Sequence, residues 1–353
     1  MATFCLAPFL GPVLGPMIGG FAAEHKGWRW TMWVSLIISG AVLPFAMFLP
    51  ETYKPIILVK RAEKRGMKLN KQPIDKLYFK DMTKITLLRP VEMLIVEPIV
   101  SVFSIYVSFI FAVLFGFFEA YPVIFQGVYH MDLGVSGLPF IGSGVGLLIG
   151  VTFFVIMDKF VYNPRNQDGT RGSRDENGKL ILSAPETKLL PAKIGAFCLP
   201  ISLFWLGWTG RTGSIHWMAP VAAGVPFGFG MITIFISVIF YFSMAFPPIS
   251  VASAIAANNL LRYIMASVFP LFVTQMYHKL NIGWASSLFG FAALVMVPVP
   301  FLFEKYGAKL RSQSKYGYAA HAAKMAPNSP LHQSEPEKSE SLDSYEDDVA
   351  YKV

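Results

Sequence analysis

Eight uninterrupted apolar blocks run along the chain, at about residues 3–23, 31–50, 93–118, 137–158, 192–208, 217–242, 250–275 and 284–304. Each is close to the roughly 20 residues that cross a hydrocarbon core at about 1.5 Å per helical residue. A surface helix of a soluble domain would carry a charged face along its whole length, and none of these blocks does. The pattern predicts an all-α integral membrane protein with eight transmembrane helices.

Between the blocks, two gaps are long, 51–92 and 159–191, and the rest are short. Four segments follow: two helices in 1–50, a basic loop in 51–90, a six-helix unit in 91–304 and a polar tail in 305–353. The end of the tail, Ser334 to Asp348, is rich in Ser, Glu and Asp and is expected to stay disordered. The run Lys60-Arg61-Ala62-Glu63-Lys64-Arg65 reads either as a short amphipathic helix on anionic lipid or as a solvated linker.

An even number of spans puts both termini on one side. The gaps and tail on that side hold 25 of the 30 Lys and Arg residues, and the opposite gaps hold only Lys26, Arg29, Arg211 and Lys279. The positive-inside rule therefore predicts a multi-pass protein of the cell membrane with both termini cytoplasmic. Trp28, Trp30, Trp208, Trp217 and Trp284 fall near the outer ends of spans, where an aromatic belt is expected.

Composition agrees. Hydrophobic residues are 54% of the 353 and charged residues 15%, against about 25% charged in a soluble domain. The net charge of +8 lies in the gaps and forms no patch with stacking aromatics, so no nucleic-acid partner is expected. Cys5 and Cys198 lie inside apolar blocks and read as small hydrophobes. The first block has no basic leader and carries three prolines, which argues for a true span over a signal peptide. The six histidines fall in loops or the tail, and no phosphate loop, ligand set or nucleophile elbow is present. Neither an enzyme nor a cofactor or metal is expected.

The first span reads Ala7-Pro8-Phe9-Leu10-Gly11-Pro12-Val13-Leu14-Gly15-Pro16-Met17-Ile18-Gly19-Gly20-Phe21. Gly11, Gly15 and Gly19 recur every four residues and form a strip without side chains. Pro12, Pro16 and Gly20 form the adjacent strip. Such strips allow close backbone approach between membrane helices.

This pattern resembles the antiporter motif in the fifth helix of drug:proton antiporters of the major facilitator superfamily. Gly27-Trp28-Arg29-Trp30, Leu49-Pro50-Glu51-Thr52, Leu88-Arg89-Pro90 with Glu97-Pro98, Gly137-Leu138-Pro139-Phe140 and Phe269-Pro270-Leu271-Phe272 look like fungal members of its twelve-helix branch. The resemblance covers about residues 1–304. It implies two six-helix halves working by rocker-type alternating access, a small organic compound as substrate, protons as coupling partner and the lipid bilayer as surroundings. By that resemblance the first four helices are missing, and a Met1 almost at a span entrance points to truncation. The alternative expectation is a non-transporting membrane protein that acts as a binding or regulatory partner, or an inactive fragment. The stretch Tyr241-Phe242-Ser243-Met244 lacks the acidic residue that relatives often carry there.

Polar residues inside spans are costly and usually face a cavity or a partner. Glu97, Ser101, Ser104 and Ser108 follow a 4-3-4 spacing that continues through Phe111 and Phe115 to Glu119. They are candidates for a translocation face, with Glu97 as a possible proton or cation site; the alternative is serines bonded to their own backbone and Glu97 at the interface. Arg262 lies about 18 Å into the seventh span, near the bilayer centre, with Asn258 on its face and Asn259 beside it. These three are candidates for substrate binding or gating.

One packing arrangement is expected. Gly142, Gly146 and Gly150 repeat the four-residue spacing in the fourth span, so the first span should pack on the fourth through Gly11, Gly15 and Gly19 against Gly142 and Gly146. Ser250, Ala254 and Ala257 of the seventh span should then face an open groove or lipid.

Overall fold

The computed structural model describes residues 2–52, 54–66, 84–163 and 184–318, and among these the regular structure is entirely helical. In chain order the helices are α1 (Ala2–Lys26), α2 (Arg29–Met47), α3 (Lys54–Lys64), α4 (Arg89–Val96), α5 (Pro98–Tyr121), α6 (Phe140–Met157), α7 (Leu190–Thr209), α8 (Met218–Ala245), α9 (Pro248–Met296) and α10 (Pro298–Ser312). Among the described residues, seven helical stretches are long and apolar enough to cross a membrane, the last of them running for 63 residues from Ser250 to Ser312.

That last stretch reverses. Asn281 has φ 62° and ψ 158°, which no α-helix accommodates, and the two arms of α9 fold back on each other there. Phe269 stacks on Phe289 at 5.7 Å across the fold, and the Tyr277 hydroxyl meets Ser286 Oγ at 2.9 Å. The reversal divides the stretch into the seventh and eighth crossings expected from the apolar blocks.

Local sequence sets the other boundaries. Gly27 sits at φ 81° just past α1, where its N–H reaches the Ala23 carbonyl and stops the helix. Pro98 restricts Glu97 to an extended conformation, φ −98° and ψ 104°, so the third crossing is broken into α4 and α5. The basic run after the second crossing is helical within α3. Residues 67–83 of that gap, the middle of the second long gap and Ser334–Asp348 lie outside the described residues. The last crossing does not stop at 304: α10 continues to Ser312.

The body is built around α5, α8 and the first arm of α9. α5 lies along that arm, α8 lies between α6 and α7, and the second arm of α9 packs on α7. Phe204 and Phe291 mark the last contact, at 5.1 Å. Gly142, Gly146 and Gly150 of α6 do permit close approach, but their partner is α8: a methyl on them would collide with Val221, Val225 and Ile232. Gly224 and Gly228 of α8 return the contact against Ser143.

The expected pairing of the first and fourth crossings therefore holds in part. α1 does pack on α6, yet through another side: Val13 meets Gly144 of α6, while Pro16 and Gly20 meet Gly137 and the Leu133–Gly134 backbone of the turn before it. Gly11, Gly15 and Gly19 face open space among the described residues. A four-residue glycine spacing identifies a helix face that can be approached and says nothing about which helix approaches it; α8 brought its own glycines. The expectation for the seventh crossing also needs correction. Ser250, Ala254 and Ala257 are buried, on the side of α9 that meets α4 and α5, and its open side carries Leu260, Tyr263, Ile264 and Leu271 instead.

Candidate functional site

Four helices bring a small polar group and three aromatic rings together inside the body. α5 supplies Ser104, Ser108 and Phe111, whose spacing of four and three places them on one face. The first arm of α9 supplies Asn258 and Arg262, again four apart. α8 supplies Phe235 and α1 supplies Phe9. The three phenylalanine rings touch: Phe9 lies 5.0 Å from Phe111 and 4.8 Å from Phe235.

Arg262 is 5% exposed, and its guanidinium sits 4.3 Å from the Phe111 ring centre and 5.4 Å from that of Phe235. Nη2 donates to the Tyr263 hydroxyl at 3.2 Å, while Nε and Nη1 have no hydrogen-bond acceptor among the described residues. Asn258 is fully buried and reaches Ser104 Oγ with Nδ2 at a long 3.5 Å, leaving Oδ1 without a donor. Ser108 Oγ is also buried and unpartnered. A desolvated cation–ring contact is worth about 2 kcal/mol. Placing an arginine at mid-membrane costs about 3 kcal/mol, and each unmet buried donor adds about 1–3. The rings therefore offset only part of the cost, and the cluster keeps unmet hydrogen-bonding capacity.

The other sequence candidates go elsewhere. Glu97 is not in helical register with the serines, because Pro98 puts it in an extended turn. It is 1% exposed, and its Oε1 accepts from Ser314 Oγ at 3.0 Å, Lys315 N–H at 2.8 Å and Tyr316 N–H at 3.1 Å. That carboxylate fastens the chain after α10 to the start of α5. Ser101 donates to the Leu94 and Glu97 carbonyls, so it is satisfied by nearby backbone. Asn259 is half-buried beside the cluster. Glu119 accepts from Thr274 at 3.1 Å near the far end of α5. Of the antiporter-type strip, Gly11 and Gly15 are exposed, Gly19 is half-buried with open space in front of it, and Pro12, Pro16 and Gly20 are half-buried.

A second polar region lies at the end of the bundle that holds the basic gaps. Arg311 of α10 grips Glu186 with Nε and Nη2 at 2.9 and 3.0 Å, and the Tyr241 hydroxyl reaches the same carboxylate at 3.4 Å. Lys188 pairs with Asp158 at 3.5 Å, and Lys193 with Glu304. Arg89 donates to Ser250 Oγ at 2.7 Å and covers the Tyr316 ring at 5.1 Å. Burial first, then the neighbouring Glu92 carboxylate, pushes the Tyr316 phenol up to about 12. At the opposite end Glu24 accepts from the Gly134 N–H and ties α1 to the turn before α6.

Sequence reasoning missed these ties because their partners lie at least 30 positions apart, beyond any helical periodicity. It also missed Phe9 and Phe235; the signal for Phe111 was present, in the serine spacing of α5.

The family profile of the Major Facilitator Superfamily matches residues 1–270. Polyamine transporter 4 of Saccharomyces cerevisiae is 56% identical over 339 residues, covering 91% of this chain and 51% of that protein. The major facilitator superfamily multidrug transporter mdrA of Aspergillus fumigatus is 42% identical over 330 residues, covering 91% and 52%. The citrinin biosynthesis cluster MFS transporter mrr1 of Monascus ruber is 37% identical over 330 residues, covering 90% and 62%. The chain thus spans about half the length of the first two relatives. No solved structure matches it significantly.

Proposed function

This chain belongs to the major facilitator superfamily, and we propose that it forms part of an efflux path for small organic compounds, a drug, toxin or secondary metabolite, exchanged for protons across the cell membrane. Both termini are cytoplasmic in this reading. Residues 1–50 belong to one half of the transporter, 51–90 form the central loop, 91–304 form the other half and 305–353 the cytoplasmic tail.

One observation carries the reading: the buried, incompletely satisfied cluster of Ser104, Ser108, Asn258 and Arg262, which the length of the apolar blocks puts near the bilayer centre. Ionisable groups at that depth are retained where they meet a substrate, an ion or a partner. Asn259, half-buried and next to Asn258 in the chain, is a further candidate for the same path. Glu97, with three donors on one oxygen, works in this reading as an anchor for the chain after α10, and Glu97→Gln should leave the pH dependence of export unchanged. The names of the relatives favour transport of organic compounds, among them polyamines and fungal metabolites.

The test is export by the chain alone, in sealed vesicles with a fluorescent compound and an imposed proton gradient. Gradient-driven movement that Arg262→Ala abolishes, at unchanged protein level, is the expected result. Movement indifferent to the gradient and to Arg262 would contradict the reading.

A second reading has its own observation. None of the residues of α2 is buried, and the Gly11, Gly15 and Gly19 face of α1 meets nothing among the described residues. Surfaces of that kind suit a body that works only with further helices. A chain that inserts correctly and moves no compound would favour this reading.

A further inference from the structure

The charge balance around Arg262 is one-sided. Among the described residues, each buried or half-buried carboxylate is engaged away from it. Glu97 holds the chain after α10, Glu186 is held by Arg311, and Glu119 bonds Thr274 at the far end of α5. Asp158 pairs with Lys188, and Glu24 takes the Gly134 N–H. The groups that do face Arg262 are Phe111, Phe235 and Tyr263, which offer ring faces and one hydroxyl. The result is a 95% buried positive charge with free N–H groups at Nε and Nη1 and no anion beside it among the described residues.

Such a centre favours one class of ligand. An ammonium group brought here meets a like charge in a low-dielectric surround, where the repulsion is several-fold stronger than in water. A carboxylate meets opposite charge and two waiting donors, the combination that gives short, strong hydrogen bonds. Asn258 Oδ1 and Ser108 Oγ, unpartnered on the neighbouring turn and helix, add capacity for a hydroxyl or amide of the same molecule. Phe9 closes the group from the side of α1, so the apolar remainder of a ligand would rest against aromatic rings. Tyr263 is largely exposed and accepts from Nη2 through its hydroxyl, so the third donor group of Arg262 is already engaged at the edge of the cluster.

We propose that Arg262 is the carboxylate-binding centre of this chain, and that the compound recognised here is a small organic acid with an apolar body and not a polyamine. The proposal rests on the reading of the cluster as part of a substrate path and specifies its chemistry. It sets this chain against the polyamine named in the relative that is 56% identical: a polycation passing through the same bundle would have to avoid Arg262.

Binding is measured with the full chain in lipid nanodiscs, at constant ionic strength and pH 7, with benzoate and spermidine as probes and helix content as the check on folding. Benzoate should bind saturably, and Arg262→Gln should weaken it by about tenfold or more, because the charge-assisted bonds are lost. Arg262→Lys keeps the charge and loses the planar pair of donors, so it should weaken benzoate, but less than Arg262→Gln does. Spermidine binding should be unaffected or improved by Arg262→Gln. Benzoate that fails to bind, or that binds Arg262→Gln as well as the parent, overturns the proposal; so does spermidine that loses about tenfold with Arg262→Gln. Should Arg262→Gln fail to fold, Arg262→Met takes its place, since an apolar side chain of similar length leaves no unpaired buried polar group, and benzoate bound by Arg262→Met as well as by the parent overturns the proposal. The transport reading fails separately: a chain that binds benzoate through Arg262 and exports nothing retains this site and loses that function.

Discussion

α2 and α5 are both apolar enough to cross a membrane, with mean hydropathy of 1.6 and 2.4 over their richest windows. None of the 19 residues of α2 is buried, while 17 of the 24 in α5 are. Their polar residues differ more than their apolar ones. Thr31 and Ser35 of α2 donate to the Trp28 and Thr31 carbonyls of their own chain segment, so α2 asks nothing of a neighbour. In α5, Ser104 meets Asn258 of α9, Ser108 has no local partner, and Glu97 just before the helix reaches residues 314–316. A helix that satisfies its polar groups internally can face lipid on every side; one that does not must be enclosed. The same contrast divides α1, whose Val13–Pro16–Gly20 side packs on α6 and the turn before it while its Gly11–Gly15–Gly19 side meets nothing among the described residues.

The largest expected effect sets glycines of the two regions against each other. Gly146→Val drives a side chain into the α8 backbone at Val225 and should cost about 3 kcal/mol or more. Gly15→Val has open space before it and should stay within about 0.5 kcal/mol. Unfolding of both variants in the same lipid reads the difference, and equal losses would erase the comparison.

Next comes the anchor at Glu97. Glu97→Ala leaves the Ser314 hydroxyl and two backbone N–H groups without their acceptor, a loss of about 2 kcal/mol, and should speed hydrogen exchange at Lys315 and Tyr316. Glu97→Gln keeps an acceptor oxygen and should recover much of the protection. Unchanged exchange in Glu97→Ala would mean that the segment is held by other contacts.

The smallest effect compares serines. Ser104→Ala removes a long hydrogen bond to buried Asn258 and should cost about 1 kcal/mol. Ser35→Ala, on the surface of α2, should stay within about 0.3 kcal/mol, since Ala is also the better helix former. A larger loss for Ser35→Ala would give α2 a partner that its burial denies.

Much of this was legible in the sequence. Apolar block length alone located the crossings, including the reversal of α9, because apolar length is a property of each segment. Arg262 and Asn258 announced themselves by depth, and Ser104 by its spacing from Ser108. The partners were not legible. Gly142 and Gly11 carry the same four-residue spacing, yet the first meets α8 and the second meets nothing among the described residues, since a strip records permission to pack and not who packs. Glu97 read as one of a row with the serines until Pro98 took it out of register. Its true contacts lie more than 210 positions away, beyond any periodicity.

The contrast between α2 and α5 is tested most directly by spin labels in a lipid bilayer, placed singly along residues 36–43 of α2 and 107–114 of α5, with collision by dissolved oxygen as the readout. High oxygen accessibility at every α2 position, with no helical periodicity, and low accessibility throughout α5 is the predicted result. A shielded stripe recurring every three to four residues on α2 would show that it packs against protein, and would contradict the account.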